Sequence, residues 1–201
     1  MEGWIVLGVV LVLLGVIVLA YNGLVAGRQR VRDAWANVDT ELRRRFDLIP
    51  NLVETVRGYA GHEREVLENV TKARSAAAAA TGSPAAAAAA EGPLVAALRQ
   101  LFAVAEAYPD LKANQNFLAL QTELAGTEDR LARVRGAYNA AVRDFNLRVQ
   151  QFPSALIASA FGFREEAYFE VEESIREAGA PKVDFSRGSE PGPSGPTGPT
   201  A

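Results

Sequence analysis

From Gly3 to Gly27 the chain carries no charged side chain, and the run from Trp4 to Ala20 is almost wholly aliphatic. At about 1.5 Å per residue a helix of this length crosses a hydrocarbon layer of about 30 Å. The hydrophobic pattern then changes character without any turn signal. Starting at Leu24 and stepping four and three residues alternately, the chain presents Leu24, Arg28, Val31, Trp35, Val38, Leu42, Arg45, Ile49, Leu52, Val56, Tyr59, Glu63, Val66 and Val70. Eleven of these fourteen are aliphatic or aromatic, a heptad seam that marks one face of a long helix. The seam keeps its phase across Pro50, which predicts a kinked helix that carries on; the competing reading lets Asp47 cap a fresh helix with Pro50 in its first turn.

A second seam reads Phe117, Leu120, Leu124, Thr127, Leu131, Val134, Tyr138, Ala141, Phe145, Arg148 and Phe152, and Pro153 ends it. Between the seams, Ala76 to Ala80 and Ala85 to Ala90 flank Thr81-Gly82-Ser83-Pro84, the tip of a helical hairpin. A shorter amphipathic helix is expected from Leu94 to Tyr108, stopped by Pro109-Asp110. Ser154 to Phe163 is apolar, and the acidic stretch Ala167 to Glu177 predicts a short terminal helix. Only Lys182 to Phe185 alternates as a strand does. The expected fold class is all-α: an N-terminal transmembrane helix continuous with an antiparallel bundle of about four long helices, packed at shallow crossing angles. The same seams would also serve self-association between chains.

Composition refines this picture at both ends. Residues 1–27 form a short outer N-terminus and a span, residues 28–186 one bundle domain, and residues 187–201, rich in Gly and Pro, a tail too polar to offset its ordering entropy. A cleaved signal peptide would need a basic region before Trp4, and there is none. Glu2 is the only charged side chain ahead of the span, whereas Arg28, Arg30, Arg32 and Arg43 to Arg45 follow it. The positive-inside rule therefore places the bundle in the cytoplasm, at the inner membrane, with the N-terminus out. Trp4 and Tyr21 stand near the two ends of the span as interfacial aromatics, and Arg28, Arg30 and Arg32 are close enough to meet lipid headgroups. Arg43 to Arg45 lie roughly 24 Å farther along a straight helix, beyond the reach of a screened surface charge. Pairing with acids such as Glu128 or Asp144 suits that triplet better. A net charge of -3, with Asp33, Asp39, Glu41 and Asp47 interleaved among the arginines, argues against a nucleic-acid partner.

The inventory for catalysis is thin. The chain has no Cys and one His, His62, and the His62-Glu63 pair lacks the second histidine of a zinc-protease helix because position 66 is Val. No Gly-x-Ser-x-Gly elbow and no phosphate-cradling glycine loop is present. The acidic cluster Glu165, Glu166, Glu170, Glu172, Glu173 and Glu177 reads as a solvated helix face rather than a cation site. Trp35, Asn51, Tyr138, Asn139 and Asn146 are the candidates for a polar lattice inside the bundle, fixing helix register, or for an interaction surface.

The segments Tyr21 to Val25, Ala34-Trp35, Leu42 to Ala60 with its Arg43-Arg44-Arg45-Phe46-Asp47-Leu48-Ile49-Pro50-Asn51 core, Glu63, and Ala73-Arg74 closely resemble the LemA family. So do Glu123-Leu124, Thr127-Glu128, Arg135, Tyr138-Asn139, Val142, Asp144-Phe145-Asn146, Phe152-Pro153 and Phe161-Gly162-Phe163. The resemblance implies a bacterial membrane protein with one span and a cytoplasmic antiparallel bundle. It implies no reaction, since the family has no agreed common activity and its best-defined relatives act in magnetosome membrane biogenesis. The expanded alanine stretch and the Gly-Pro tail depart from the family pattern. Together these readings predict a non-enzymatic scaffold or adaptor at the cytoplasmic face, with no cofactor, no metal and no identified small-molecule substrate. Its expected partners are the lipid bilayer and either an unidentified protein or further copies of itself. The alternative is a structural protein that self-assembles and organises or remodels membrane.

Overall fold

The computed structural model describes residues 1–170. The Gly/Pro tail at 187–201, the strand-like residues 182–185, and Glu172, Glu173 and Glu177 lie outside the described residues. Among the described residues there are six α-helices and no strand: α1 (Glu2–Tyr59), α2 (Arg64–Ala79), α3 (Pro84–Glu106), α4 (Pro109–Lys112), α5 (Gln115–Gln150) and α6 (Ser154–Ala160).

The first helix covers 58 residues and has two parts of different burial. Its first turns, from Glu2 through Leu19, are exposed along their whole circumference. From Leu24 onward the same helix buries a stripe, Leu24, Val31, Val38, Leu42, Ile49, Leu52 and Val56. These are the predicted seam positions. Helix α3 is also long and apolar enough to cross a membrane, but Leu94, Leu98, Leu101 and Phe102 bury one side of it in the bundle, as in a core helix.

The bundle is organised around the antiparallel pair α1 and α5. Gly27 lies beside Phe145, Trp35 meets Tyr138, Arg45 pairs with Glu128, and Tyr59 accepts a hydrogen bond from Asn114. The contact between the two helices is tight at Gly27, where an added Cβ would stand 3.1 Å from the Phe145 ring. Helices α2 and α3 form the hairpin, and they cover only the distal half of α1. Ser83 caps α3 by accepting from the Ala86 N–H, and Pro84 opens it, so the Thr81 to Pro84 turn forms as the sequence indicates. Asn114 caps α5 in the same way, accepting from the Phe117 N–H at 3.1 Å.

Three sequence expectations need correction. The α1 seam does not carry through to Val70, because the helix ends at Tyr59 and the chain turns between Ala60 and Glu63, leaving Tyr59 exposed. Gly58 and Gly61 flank that turn, and spacing alone could not show where a continuous pattern is divided between two helices. The helix expected from Leu94 begins ten residues earlier, at Pro84, and runs through Pro93. Pro93 is exposed, and the carbonyl it frees, that of Ala89, belongs to an exposed residue where water can take it. Finally, Ala167 to Glu170 are not helical: residues 163–170 are extended and lie against α5.

Pro50 leaves α1 unbroken, which removes the reading in which Asp47 starts a new helix. Proline at position 50 has no N–H for the carbonyl four residues back, that of Phe46. Arg74, on α2, donates its Nε–H to this carbonyl at 2.8 Å. The orphaned acceptor of one helix thus becomes the docking point of the next.

Candidate functional site

On the half of the bundle nearest the N-terminal apolar stretch of α1, α1 and α5 have no helical hairpin above them, and their open side is filled by residues 163–169. Asn146 holds Glu166 by both backbone groups: its Nδ2 donates to the Glu166 carbonyl at 3.0 Å, and its Oδ1 accepts from the Glu166 N–H at 2.9 Å. Asn139 holds Phe169 identically, at 3.2 and 2.9 Å. The spacing has a simple origin. Positions seven apart on a helix are about 10.5 Å apart, and positions three apart on an extended chain are about 10 Å apart, so the two ladders stay in register. Tyr138 adds a fifth bond, donating its hydroxyl to the Ala167 carbonyl at 2.7 Å.

Aromatic contacts seat the two ends of this segment. Phe169 is buried against Trp35 at 5.8 Å between ring centroids, with the Arg135 guanidinium 5.5 Å from its ring. Phe163 is buried between Tyr21, 5.8 Å away, and the Arg28 guanidinium, 4.8 Å above its ring. Cation and ring attract one another through the ring quadrupole, and partial burial strengthens that contact. Burial, reinforced by the charge of Glu166, pushes the Tyr138 hydroxyl up to about 12. The phenol therefore remains a hydrogen-bond donor across the whole physiological range.

A second cluster lies where the hairpin joins the α1–α5 pair. Arg45 is fully buried and grips Glu91 of α3 through both terminal nitrogens, while its Nη1 also reaches Glu128 of α5 at 3.2 Å. Arg135 stands 3.9 Å from Glu91 and 4.0 Å from Glu128. Beside them Arg130 donates to Glu41 at 3.0 Å and to the Thr127 hydroxyl at 2.8 Å. Burial works to lower the Arg45 pKa, but the opposing charges of Glu91 and Glu128 outweigh it and hold the value above that of a free guanidinium. Such a node ties three helices at one level and sets their mutual register.

Of the residues the sequence singles out, the structure brings Trp35, Tyr138, Asn139 and Asn146 together around the extended segment. The Trp35 and Tyr138 rings meet edge to face, while the polar groups of Tyr138, Asn139 and Asn146 bind a chain segment instead of one another. Asn51 lies apart, exposed on α1, with its carbonyl accepting from the Thr55 hydroxyl. Trp4 is exposed at the start of α1, and Tyr21 packs on Phe161 and Phe163. Arg28 covers Phe163, Arg30 bonds back to the Ala26 carbonyl, and Arg32 is exposed. Within the arginine triplet, Arg45 takes Glu128 as expected, Arg43 takes Asp39 on its own helix, and Arg44 is exposed. Glu91, Phe163 and Phe169 are missed by sequence reasoning. A charged residue occupying the seam at Arg45 and a single acid ending an alanine run at Glu91 were the available signals.

Nothing in either cluster is arranged for proton transfer or nucleophilic attack. His62 is exposed in the turn after α1, and among the described residues no three His, Cys, Asp or Glu side chains converge. What the geometry can do is hold an extended backbone by side-chain amides and clamp helices by buried charge.

Comparison with known proteins places this architecture. Over 186 residues the chain is 25% identical to magnetosome protein MamQ 2 of Paramagnetospirillum magneticum, an alignment covering 80% of this chain and 68% of that protein. It is 23% identical over 178 residues to magnetosome protein MamQ of Magnetospirillum gryphiswaldense, covering 76% and 65%. Protein LemA of Metamycoplasma hominis is 25% identical over 158 residues, covering 77% of this chain and 71% of its own. The sequence profile of the LemA family matches residues 34–185, which takes in the bundle, the charge node and the extended segment, and the chain belongs to the LemA family.

Proposed function

We propose that this chain is a non-enzymatic, single-pass scaffold or adaptor whose helical bundle stands on the cytoplasmic face of the inner membrane. The observation that carries the reading is the continuity of α1. One helix passes from a wholly exposed apolar stretch into a buried bundle stripe with no intervening linker. A rigid joint of this kind fixes a platform, whereas a tethered catalyst is served as well by a flexible connection. The basic residues that follow the span, against the single Glu2 before it, support the orientation. Relatives named as magnetosome proteins favour a role at a membrane.

Crosslinking of the full-length protein in its native membrane, followed by identification of captured neighbours, tests the proposal. A scaffold or adaptor yields a reproducible protein partner. Capture of lipid alone, with no protein in repeated experiments, overturns it, and capture of the chain by itself shifts the reading to self-assembly. Orientation is checked separately by labelling a Gly58→Cys variant, whose single thiol must be protected in intact cells and reactive after the membrane is opened.

A further inference from the structure

Beyond the first twenty residues, three large apolar side chains among the described residues are more than half exposed: Phe152 (83%), Leu156 (64%) and Phe161 (59%). All three belong to one corner of the molecule: Phe152 in the turn from α5 into α6, Leu156 in α6 and Phe161 just after it. Scattered apolar residues on a surface are ordinary, but a cluster at one end of a bundle marks a contact surface. The opposite side of the same short helix is well seated, with Ala158 fully buried and Ile157 half-buried against the bundle. Helix α6 is thus apolar on both sides.

The level of this corner relative to α1 can be read from contacts. The Tyr21 ring lies 4.9 Å from that of Phe161, and a Cβ on Gly23 would stand 3.4 Å from a terminal nitrogen of Arg148. Because α5 runs antiparallel to α1, the chain leaving α5 at Gln150 heads toward the apolar stretch, so Phe152 and α6 lie beside the end of that stretch. The uncharged run of 25 residues measures about 37 Å as a helix, against about 30 Å of hydrocarbon. Its last turn and a half, about Gly23 to Gly27, therefore falls in the interfacial zone just past Tyr21, and α6 sits at that depth.

We infer that α6 and its flanks form a lipid-facing foot: Phe152, Leu156 and Phe161 enter the headgroup and upper acyl region of the leaflet from which α1 emerges, with Arg148 meeting lipid phosphates above them. This rests on α1 being the span. Interfacial helices gain their affinity from apolar area buried at this depth, and aromatic rings favour it. The consequence is mechanical. A single span is free to tilt and rotate in the bilayer, and its orientation is set by flanking contacts. A foot on one side of α1 gives the bundle a second point of attachment and a defined azimuth.

The absence of cysteine makes the test direct. Single-cysteine variants Leu11→Cys, Leu156→Cys and Gly58→Cys of the full-length protein, each carrying a nitroxide, are placed in nanodiscs of phosphatidylcholine and phosphatidylglycerol. Power saturation then compares accessibility to oxygen and to a water-soluble nickel chelate. All three sites are exposed, and at Gly58 an added Cβ would meet nothing within 4 Å beyond its chain neighbours and its own helix backbone, so labelling leaves the fold intact. The expected result is an oxygen-to-nickel ratio at position 156 severalfold above that at 58 and approaching that at 11. A label at 156 as open to nickel as that at 58, while 11 is shielded, overturns the foot and leaves the span standing. A label at 11 that is itself open to nickel overturns both.

Discussion

The hydrogen bond from Arg74 to the Phe46 carbonyl offers a quantitative test of how this bundle is held together. The carbonyl lacks a helical partner because residue 50 is proline, and Phe46 is buried at 4% exposure, so water does not replace the bond freely. Replacing Arg74 by Ala removes a charged donor from a buried acceptor, which costs about 1.5–3 kcal/mol. At about 2–4 °C per kcal/mol for a chain of this size, the melting temperature should fall by roughly 3–12 °C. The discriminating step is the second substitution. Pro50→Ala restores an N–H four residues from Phe46, giving the carbonyl a partner within α1, and also lifts the roughly 3 kcal/mol penalty of proline inside a helix. In that background Arg74→Ala should cost markedly less, with a coupling of about 1 kcal/mol or more. Melting of the full-length protein in detergent, followed by circular dichroism at 222 nm for the wild type, both single variants and the double variant, measures it. Equal costs of Arg74→Ala in the two backgrounds would refute the reasoning and reduce Arg74 to a surface contact.

Further outcomes follow from the two clusters. Glu91→Ala takes from the fully buried Arg45 the acid it grips with both terminal nitrogens, leaving it Glu128, and should destabilise by about 3 kcal/mol, whereas Arg45→Met with Glu91→Leu should recover most of the loss, Glu128 retaining Arg135; denaturant unfolding of the wild type and the two variants decides this. Asn139→Ala with Asn146→Ala removes four bonds to the extended segment, each worth about 0.5–1.5 kcal/mol net, so tryptic cleavage after Arg164 should accelerate by at least about tenfold if the segment opens faster than it is cut. Tyr138 titrates higher in the folded chain, at about 12, than its ordinary 10, so its stabilising contribution is complete below pH 10 and fades as pH rises toward 12. Tyr138→Phe should flatten that part of the pH–stability profile relative to wild type, and an unchanged difference between the two proteins from pH 9 to 11.5 would show the phenol to be solvated.

Much of the architecture is legible in the chain because it is written in periodicity. The uncharged run and the two seams identify the long helices and their buried faces as far as Val56 and Phe145, since a helix that buries one side repeats apolar residues at its own pitch; the last positions of the second seam, Arg148 and Phe152, are exposed, and Phe152 lies beyond the end of α5. Turn chemistry at Thr81 to Pro84 and the proline at 153 mark ends for equally local reasons. The break after Tyr59 escapes this reading, as does the passage of α3 through Pro93, because local pattern does not register whether an orphaned carbonyl finds water or a distant donor.

What the sequence alone determined, then, is where the long helices lie and which side of each is apolar. Tertiary structure decided which groups meet. That Trp35, Tyr138, Asn139 and Asn146 grip residues 163–169, that Glu91 completes the Arg45 node, and that α6 lies level with Tyr21 all depend on α1 and α5 running antiparallel at one particular register. Hydrogen bonds and ion pairs act over a few ångströms between residues 20 to 83 positions apart in the chain, and no local spacing encodes that proximity.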